Sequence, residues 1–270
     1  MLAARGIHPR HRFGQNFLID QNKLRQIVEA AGAAPGDLVL EVGPGTGTLT
    51  EELLAAGAKV IAVEIDRDMA AILRDRIGPD SDRWVLINED ILAGKRELNP
   101  RIAEAMQRLS PQGSSLKPQA FSLIANLPYN IASPLLVNLA MDWPGMTHAI
   151  VMVQREVADR ITAGPGGKDY GPLGIILQAT CRIDTVTQAP AGCFWPRPQI
   201  DSSVIRLTRR DQPLMADVHR FAELVHQLFQ KRRKQVGAIL GRDTPLPPGI
   251  EPSARPEQLS IEQLIALSGG

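Results

Sequence analysis

Leu38-Val39-Leu40-Glu41-Val42-Gly43-Pro44-Gly45-Thr46-Gly47 is the stretch whose reading decides the fold. A continuous apolar run meets three glycines at alternate positions, and Leu49, Leu53 and Leu54 then recur at helical spacing. The pattern is a buried strand, a glycine turn and a helix. With no Cβ in the way, such a turn exposes backbone N–H groups and lets a ligand come close to the chain. The third glycine falls one residue too early for the Gly-x-Gly-x-x-Gly of dinucleotide sites, so the spacing does not indicate that cofactor class.

Working outward, Leu24, Ile27, Val28 and Ala31 sit at helical spacing after Asp20, and Pro35-Gly36 ends that helix before the strand. Strand-like runs recur over 60–65, 84–88, 121–126 and 149–153, most of them separated by amphipathic stretches such as Met69, Ile72 and Leu73. Alternation of this kind predicts an α/β fold with a mostly parallel, doubly wound sheet. Between Asp90 and Phe121 it lapses into a polar stretch with Asn99-Pro100, Ser110-Pro111 and Gly113-Ser114-Ser115, read as an insertion with one short helix over 102–109. After Thr162 come a Gly164-Pro165-Gly166-Gly167 loop, an apolar stretch over 173–177, and two strands over 182–188 and 202–208, expected to pair as an edge hairpin. From about Pro213 the strand pattern ends, and Phe221, Leu224, Val225, Leu228 and Phe229 share a helical face before the Leu246-Pro247-Pro248 hinge. The expected organisation is a large domain over 1–212 and a small helical C-terminal domain over 213–270.

Composition narrows the function classes. With 44% hydrophobic and 22% charged residues, the 270-residue chain has enough apolar surface for a sizeable core and is too apolar for disorder. Its formal charge of +1 gives no overall field for a polyanion, so any nucleic-acid contact must come from local clusters. Such clusters are Arg5, His8, Arg10, His11 and Arg12; Arg206, Arg209 and Arg210; and Lys231, Arg232, Arg233 and Lys234. Each is ordinarily a solvated face, and those on the cleft side are expected to bind phosphates. Cys181 and Cys193 lie twelve apart with no Cys-x-x-Cys, so inert thiols and no metal site are expected. No signal-like segment and no run of about 18 apolar residues occurs, which predicts a soluble, cytosolic protein without a membrane partner.

The Glu41-x-Gly43-x-Gly45-x-Gly47 loop resembles the cofactor loop of class I methyltransferases. That implies a Rossmann-like domain binding S-adenosyl-L-methionine, with the aminoacyl part packed on the glycines. Glu64 ends the second strand 21 positions after Gly43, where two ribose hydroxyls need a double acceptor. Asp66 competes for that role. Asp90 closes the third strand, placed to accept from an adenine amino group. Taken singly, each acid is better read as a solvated strand end or a helix cap; three in register at successive strand ends favour the site.

Asn126-Leu127-Pro128-Tyr129 ends the fourth strand, and Ser133-Pro134 follows as an expected N-cap and first helical proline. The N6 lone pair of adenine is delocalised into its ring, so this nitrogen attacks poorly until acceptors hold its hydrogens. The Asn126 side-chain oxygen and a nearby backbone carbonyl suit that task. Pro128 stiffens the turn without offering an N–H, and Tyr129 presents a face for an unstacked base, where stacking is worth ~1–3 kcal/mol. Read alone, the tetrapeptide is a strand-ending turn with a half-buried tyrosine; downstream of a complete cofactor loop it reads as the methyl-accepting site.

Together with Phe13-Gly14-Gln15-Asn16-Phe17-Leu18, Gln154-Arg155-Glu156-Val157-Ala158, Phe194-Trp195-Pro196-Arg197-Pro198-Gln199-Ile200-Asp201-Ser202 and Arg232-Arg233-Lys234, these motifs resemble the KsgA/RsmA ribosomal RNA adenine dimethyltransferases over nearly the whole chain. The resemblance implies dimethylation of N6 on two adjacent adenines in a hairpin near the 3′ end of small-subunit (16S) ribosomal RNA, by a monomer acting on an assembling 30S particle. It implies that Asn16 and Leu18 close over the cofactor with Gly43, Gly45, Glu64, Asp90 and Asn126. It also implies that Phe194 stacks on the target adenine opposite Tyr129. The chain departs from the pattern in its long insertion after Asp90, in Gln199 where lysine is frequent, and in lacking an Asn pair after Lys234. The rival readings are a methyltransferase of large-subunit RNA or small molecules, and a non-catalytic RNA-binding assembly factor on the same fold.

Overall fold

A computed structural model of the chain describes residues 14–94, 97–110, 120–241 and 244–269. The N-terminal basic cluster, Phe13 and most of the turn-rich end of the insertion lie outside the described residues. The elements are β1 (Phe17–Leu18), α1 (Gln21–Ala31), β2 (Leu38–Val42), α2 (Thr48–Ala55), β3 (Lys59–Val63), α3 (Arg67–Ile77), β4 (Trp84–Ile87) and α4 (Arg101–Leu109). Then come β5 (Phe121–Asn126), α5 (Ala132–Asp142), β6 (Met146–Gln154), α6 (Arg155–Thr162), α7 (Pro172–Thr180), β7 (Cys181–Ala189), β8 (Phe194–Trp195), β9 (Ser202–Arg209), α8 (Val218–Gln230), α9 (Val236–Leu240) and α10 (Ile261–Ser268).

The main sheet has the order β4-β3-β2-β5-β6-β9-β7. β2 pairs in parallel with both β3 and β5, β4 extends it beside β3 and β6 beside β5, and β9 runs antiparallel to β6. Every residue of β2 is buried, as a strand covered on both faces requires. The chain leaves β2 for β3 on one side and reaches β5 on the other, so the order reverses there. Open α/β sheets bind ligands beyond the carboxyl ends of their strands at such a switch point. The class of fold is the one the alternation predicts.

β7 and β9 pair at one end of the sheet as the expected edge hairpin, with β9 inside next to β6 and β7 outermost. Ser133 and Pro134 do not start α5: the helix begins at Ala132 behind Ile131, with no side-chain cap bond. Pro134 is still tolerated, because the N–H groups of a first turn have no helical partner to lose. The expected helix in the insertion is α4, whose Ile102, Ala105, Met106 and Leu109 are buried.

The chain packs as two compact units, one from the described parts of Met1–Arg155 and Asp184–Thr208, the other from Glu156–Ile183 and Arg209–Gly270. The boundary read at 212/213 left residues 156–183 with the large domain, whereas packing groups them with the C-terminal segment. In that second unit α7 buries Leu173, Ile175, Ile176 and Leu177, and the Tyr170 hydroxyl donates to Leu259 O at 2.9 Å while its ring meets Phe229 edge-on. α8 starts at Asp217, whose carboxylate caps His219 and Arg220, and it buries Phe221, Ala222, Val225 and Leu228. A Cβ on Gly174 would lie 2.3 Å from Arg160 O, so α7 meets the end of α6 backbone to backbone.

Candidate active site

The glycine turn leaves the buried end of β2. Gly43, at φ +70°, donates its N–H to Val63 O at 2.9 Å; Gly45 adopts φ +56°, and Gly47, at φ +83°, opens α2. These backbones favour glycine by conformation, and all three also lack room, a Cβ on Gly47 lying 2.8 Å from Leu73 Cδ2. A Cβ on Gly43 would sit 3.1 Å from the Pro128 ring, and one on Gly45 2.9 Å from the Phe17 ring. The turn therefore seats Pro128 on one side and Phe17 on the other.

Two carboxylates lie beneath it. Glu64 follows β3 and is 5% exposed; its oxygens accept from Gly45 N at 3.2 Å and Asp66 N at 2.9 Å. Burial pushes its carboxyl up to about 7, with the backbone donors pulling against it. Glu41, the polar residue inside the apolar run of β2, is 1% exposed and accepts from Thr50 Oγ1 at 2.7 Å. Burial pushes it up to about 8 against that hydrogen bond, with the Glu64 charge adding to the rise. A cation in this cavity would find two acids ready to ionise beside it. Asp66 is occupied otherwise: it caps α3 through Asp68 N at 3.0 Å and accepts from Gln15 Nε2 at 2.9 Å.

Most of the expected residues share one narrow cavity. Asn16 and Leu18 come from the β1 segment, Gly43 and Gly45 from the turn, Glu64 from the end of β3, and Asn126, Pro128 and Tyr129 from the end of β5. Asp90 is exposed, accepts from Leu92 N at 2.9 Å and lines a neighbouring cavity. Gly43 and Pro128 wall both, so the two are adjacent. A third cavity, of about 380 Å³, shares Gly14, Gln15, Asn16 and Tyr129 with the first and adds Gln154 and residues 196–200. Asn16 and Tyr129 thus stand between a narrow glycine-walled cavity and one wide enough for a purine.

At this partition the Asn126 amide nitrogen donates to Asn16 O at 2.9 Å, which leaves its oxygen as the end suited to accept. Pro128 O takes the N–H of Ile131 at 3.2 Å, so that turn does not engage the carbonyl of Leu127. The Tyr129 hydroxyl and Ser202 Oγ lie 3.2 Å apart, and partial burial holds the phenol above its ordinary range.

Phe194 is not brought to this place. It is 3% exposed, pairs with Leu18 across the β1–β8 ribbon, and belongs to the core with Leu24, Ile27 and Leu49. Side chains alternate along a strand, so with Phe194 inward its neighbour Trp195 faces out, 44% exposed and stacked on Phe17 at 6.4 Å. The basic clusters are also partly consumed. Arg206 donates to Ala30 O at 2.7 Å, Arg210 to Gln178 O at 3.1 Å, and Arg232 to Lys168 O at 2.9 Å besides pairing with Glu257. Among the described residues of the last cluster, Lys231, Arg233 and Lys234 are exposed.

Glu41 and Gln15 fall within the quoted sequence motifs, but neither is assigned a role of its own there. A glutamate inside an apolar strand is a signal for the first, whereas the Gln15–Asp66 contact spans 51 residues and has no local signature.

Comparison with known proteins places the chain in a family. Residues 7–265 match the family model described as ribosomal RNA adenine dimethylase. The chain is 37% identical over 280 residues to the ribosomal RNA small subunit methyltransferase A of Lactobacillus delbrueckii subsp. bulgaricus, covering 97% of this chain and 90% of that protein. It is 38% identical over 269 residues to that of Acinetobacter baylyi, covering 97% and 92%. Among solved structures it is similar to the 23S rRNA methyltransferase ErmE, with a TM-score of 0.69 and 25% identity over 94% of this chain and 98% of the other. A dimethyladenosine transferase from Plasmodium falciparum shares the fold, with a TM-score of 0.71 at 22% identity over 94% and 97%. A family match over nearly the full length, joined to a glycine turn and an Asn126-Leu127-Pro128-Tyr129 corner on one cavity, means that this chain belongs to the ribosomal RNA adenine dimethylase family.

Proposed function

We propose that this chain uses S-adenosylmethionine to dimethylate N6 of two adjacent adenines in a hairpin near the 3′ end of small-subunit ribosomal RNA, as a cytoplasmic monomer acting on the assembling 30S particle. The observation that carries the reading is the partition: Tyr129, which closes the Asn126–Tyr129 corner, and Asn16, which fixes the Asn126 amide, line both the glycine-walled cavity and the purine-sized one.

The residues fit the cofactor. Gly43 and Gly45 hold backbone conformations open to close approach. Glu64 offers a double acceptor to a ribose diol, and Asp90 an acceptor one cavity further on. Glu41 and Glu64 supply negative charge on demand beneath a cationic ligand. When bound, S-adenosylmethionine would supply an electrophilic methyl carbon.

The rest falls to the chain. Asn126 Oδ1 and the Leu127 carbonyl accept the two N6 hydrogens, drawing the nitrogen out of ring conjugation. Tyr129 offers its face to the extruded base, offsetting part of the few kcal/mol lost on unstacking. Asn16 fixes the Asn126 amide, so the acceptor oxygen is oriented before substrate arrives, and positioning of this kind supplies much of the rate. Each transfer leaves N6 cationic and the cofactor as the neutral thioether; the alkylated nitrogen is acidic enough to release its proton to water, so no side chain need act as a strong base.

Asn126→Ala should lower methyl transfer to unmodified small subunits by orders of magnitude while leaving cofactor affinity within a few fold; near-wild-type turnover would refute the assignment. Relatives named for small-subunit RNA match at 37–38% identity and ErmE at 25%, which favours the small subunit over the large. Assaying both subunits separately decides between them.

A further inference from the structure

The purine-sized cavity is lined by Gly14, Gln15, Asn16, Tyr129, Gln154 and residues 196–200, and Arg197 is the only charged side chain among them. Arg197 is exposed, and among the described residues it makes no ion pair or hydrogen bond. Prolines on both sides, Pro196 and Pro198, restrict its backbone: Pro198 keeps it extended, and Pro196 fixes the approach. A guanidinium thus stands at the wall of a cavity whose other described lining residues are uncharged. Of the arginines that sequence clustering nominated for phosphate contact, Arg206 and Arg210 instead spend donors on backbone carbonyls.

We propose that Arg197 holds a phosphate of the RNA strand beside the extruded adenosine, a role that rests on the reading above of this cavity as the acceptor site. Extrusion swings the nucleotide about its own backbone, which brings the flanking phosphates to the cavity wall. Guanidinium matches phosphate with paired donors, and restricted flanking residues limit the entropy lost on docking. The contact is made to the backbone and carries no base specificity, so it serves both adenines of an adjacent pair alike.

The test compares wild type, Arg197→Ala, Arg197→Lys and Arg206→Ala on unmodified small subunits across a salt series, with cofactor affinity measured by calorimetry. Arg197→Ala should raise KM about tenfold at low salt, as loss of a charge-assisted hydrogen bond does. It should flatten log(kcat/KM) against log[salt] by about 0.7, the share of one phosphate on a single strand. Cofactor affinity should stay unchanged, Arg197→Lys should keep the wild-type slope with a smaller loss, and Arg206→Ala should lower stability without altering the slope. An unchanged slope in Arg197→Ala, or a matching loss of cofactor affinity, overturns the proposal. A wild-type chain inert on small subunits would sink the underlying reading and this proposal together; an active wild type with an indifferent Arg197→Ala sinks this proposal alone.

Discussion

Replacing Glu41 by Gln should remove much of the pH dependence of stability in the cofactor-free protein. Glu41 is buried in β2, and its carboxyl rises from 4.5 to about 8 on folding. The folded chain therefore holds a proton that the unfolded chain has released between those two values. Stability from this group is complete below pH 4.5 and is lost as pH climbs through 8. A rise of that size corresponds to about 5 kcal/mol at the alkaline end, or on the order of 10 °C in Tm for a chain of this length. Glu64, pushed up to about 7, acts in the same direction, and its contribution is common to both proteins. Gln keeps an acceptor for Thr50 Oγ1 and carries no charge at any pH. Thermal unfolding of both proteins without cofactor, from pH 5 to 8.5, should give similar Tm values at pH 5. The two should then diverge, with the variant more stable by several degrees at pH 8.5. Parallel curves, or a variant that weakens as pH rises, would refute the burial argument.

Two further substitutions test other parts of the account. Gly174→Ala puts a Cβ against Arg160 O at 2.3 Å and should destabilise the second unit by about 3 kcal/mol, read as an earlier denaturant midpoint. Tyr129→Phe keeps the face for stacking and loses the contact with Ser202, so activity should fall only a few fold, whereas Tyr129→Ala should cost about 1–3 kcal/mol of RNA binding; equal losses would mean that the hydroxyl, not the face, matters.

How far the site could be read in advance depends on how local its causes are. Gly43, Gly45 and Gly47 mark a turn whose geometry is set within ten residues, and Asn126 to Tyr129 form the end of one strand, so both were legible. The choice between Glu64 and Asp66 was not, because either can follow β3; what separates them is which carboxylate caps α3, and the structure gives that task to Asp66. The direction of Phe194 was hidden for a different reason. It depends on β8 pairing with β1 from the far end of the chain, a contact with no short-range pattern. Helix starts slip by a residue or two, as at Ser133, because a proline near the start is compatible with several first turns. Clustered arginines look like a phosphate surface until the carbonyls of Ala30 and Gln178 are seen to occupy them.

That the Asn126 corner serves an adenine of the small subunit has a direct test. Small subunits lacking the modification, incubated with the purified chain and S-adenosylmethionine, can be digested and the fragments weighed by mass spectrometry. One fragment near the 3′ end should carry four added methyl groups, two on each of two neighbouring adenines. Methyl groups elsewhere in that RNA, on large-subunit RNA instead, or nowhere at all would contradict it.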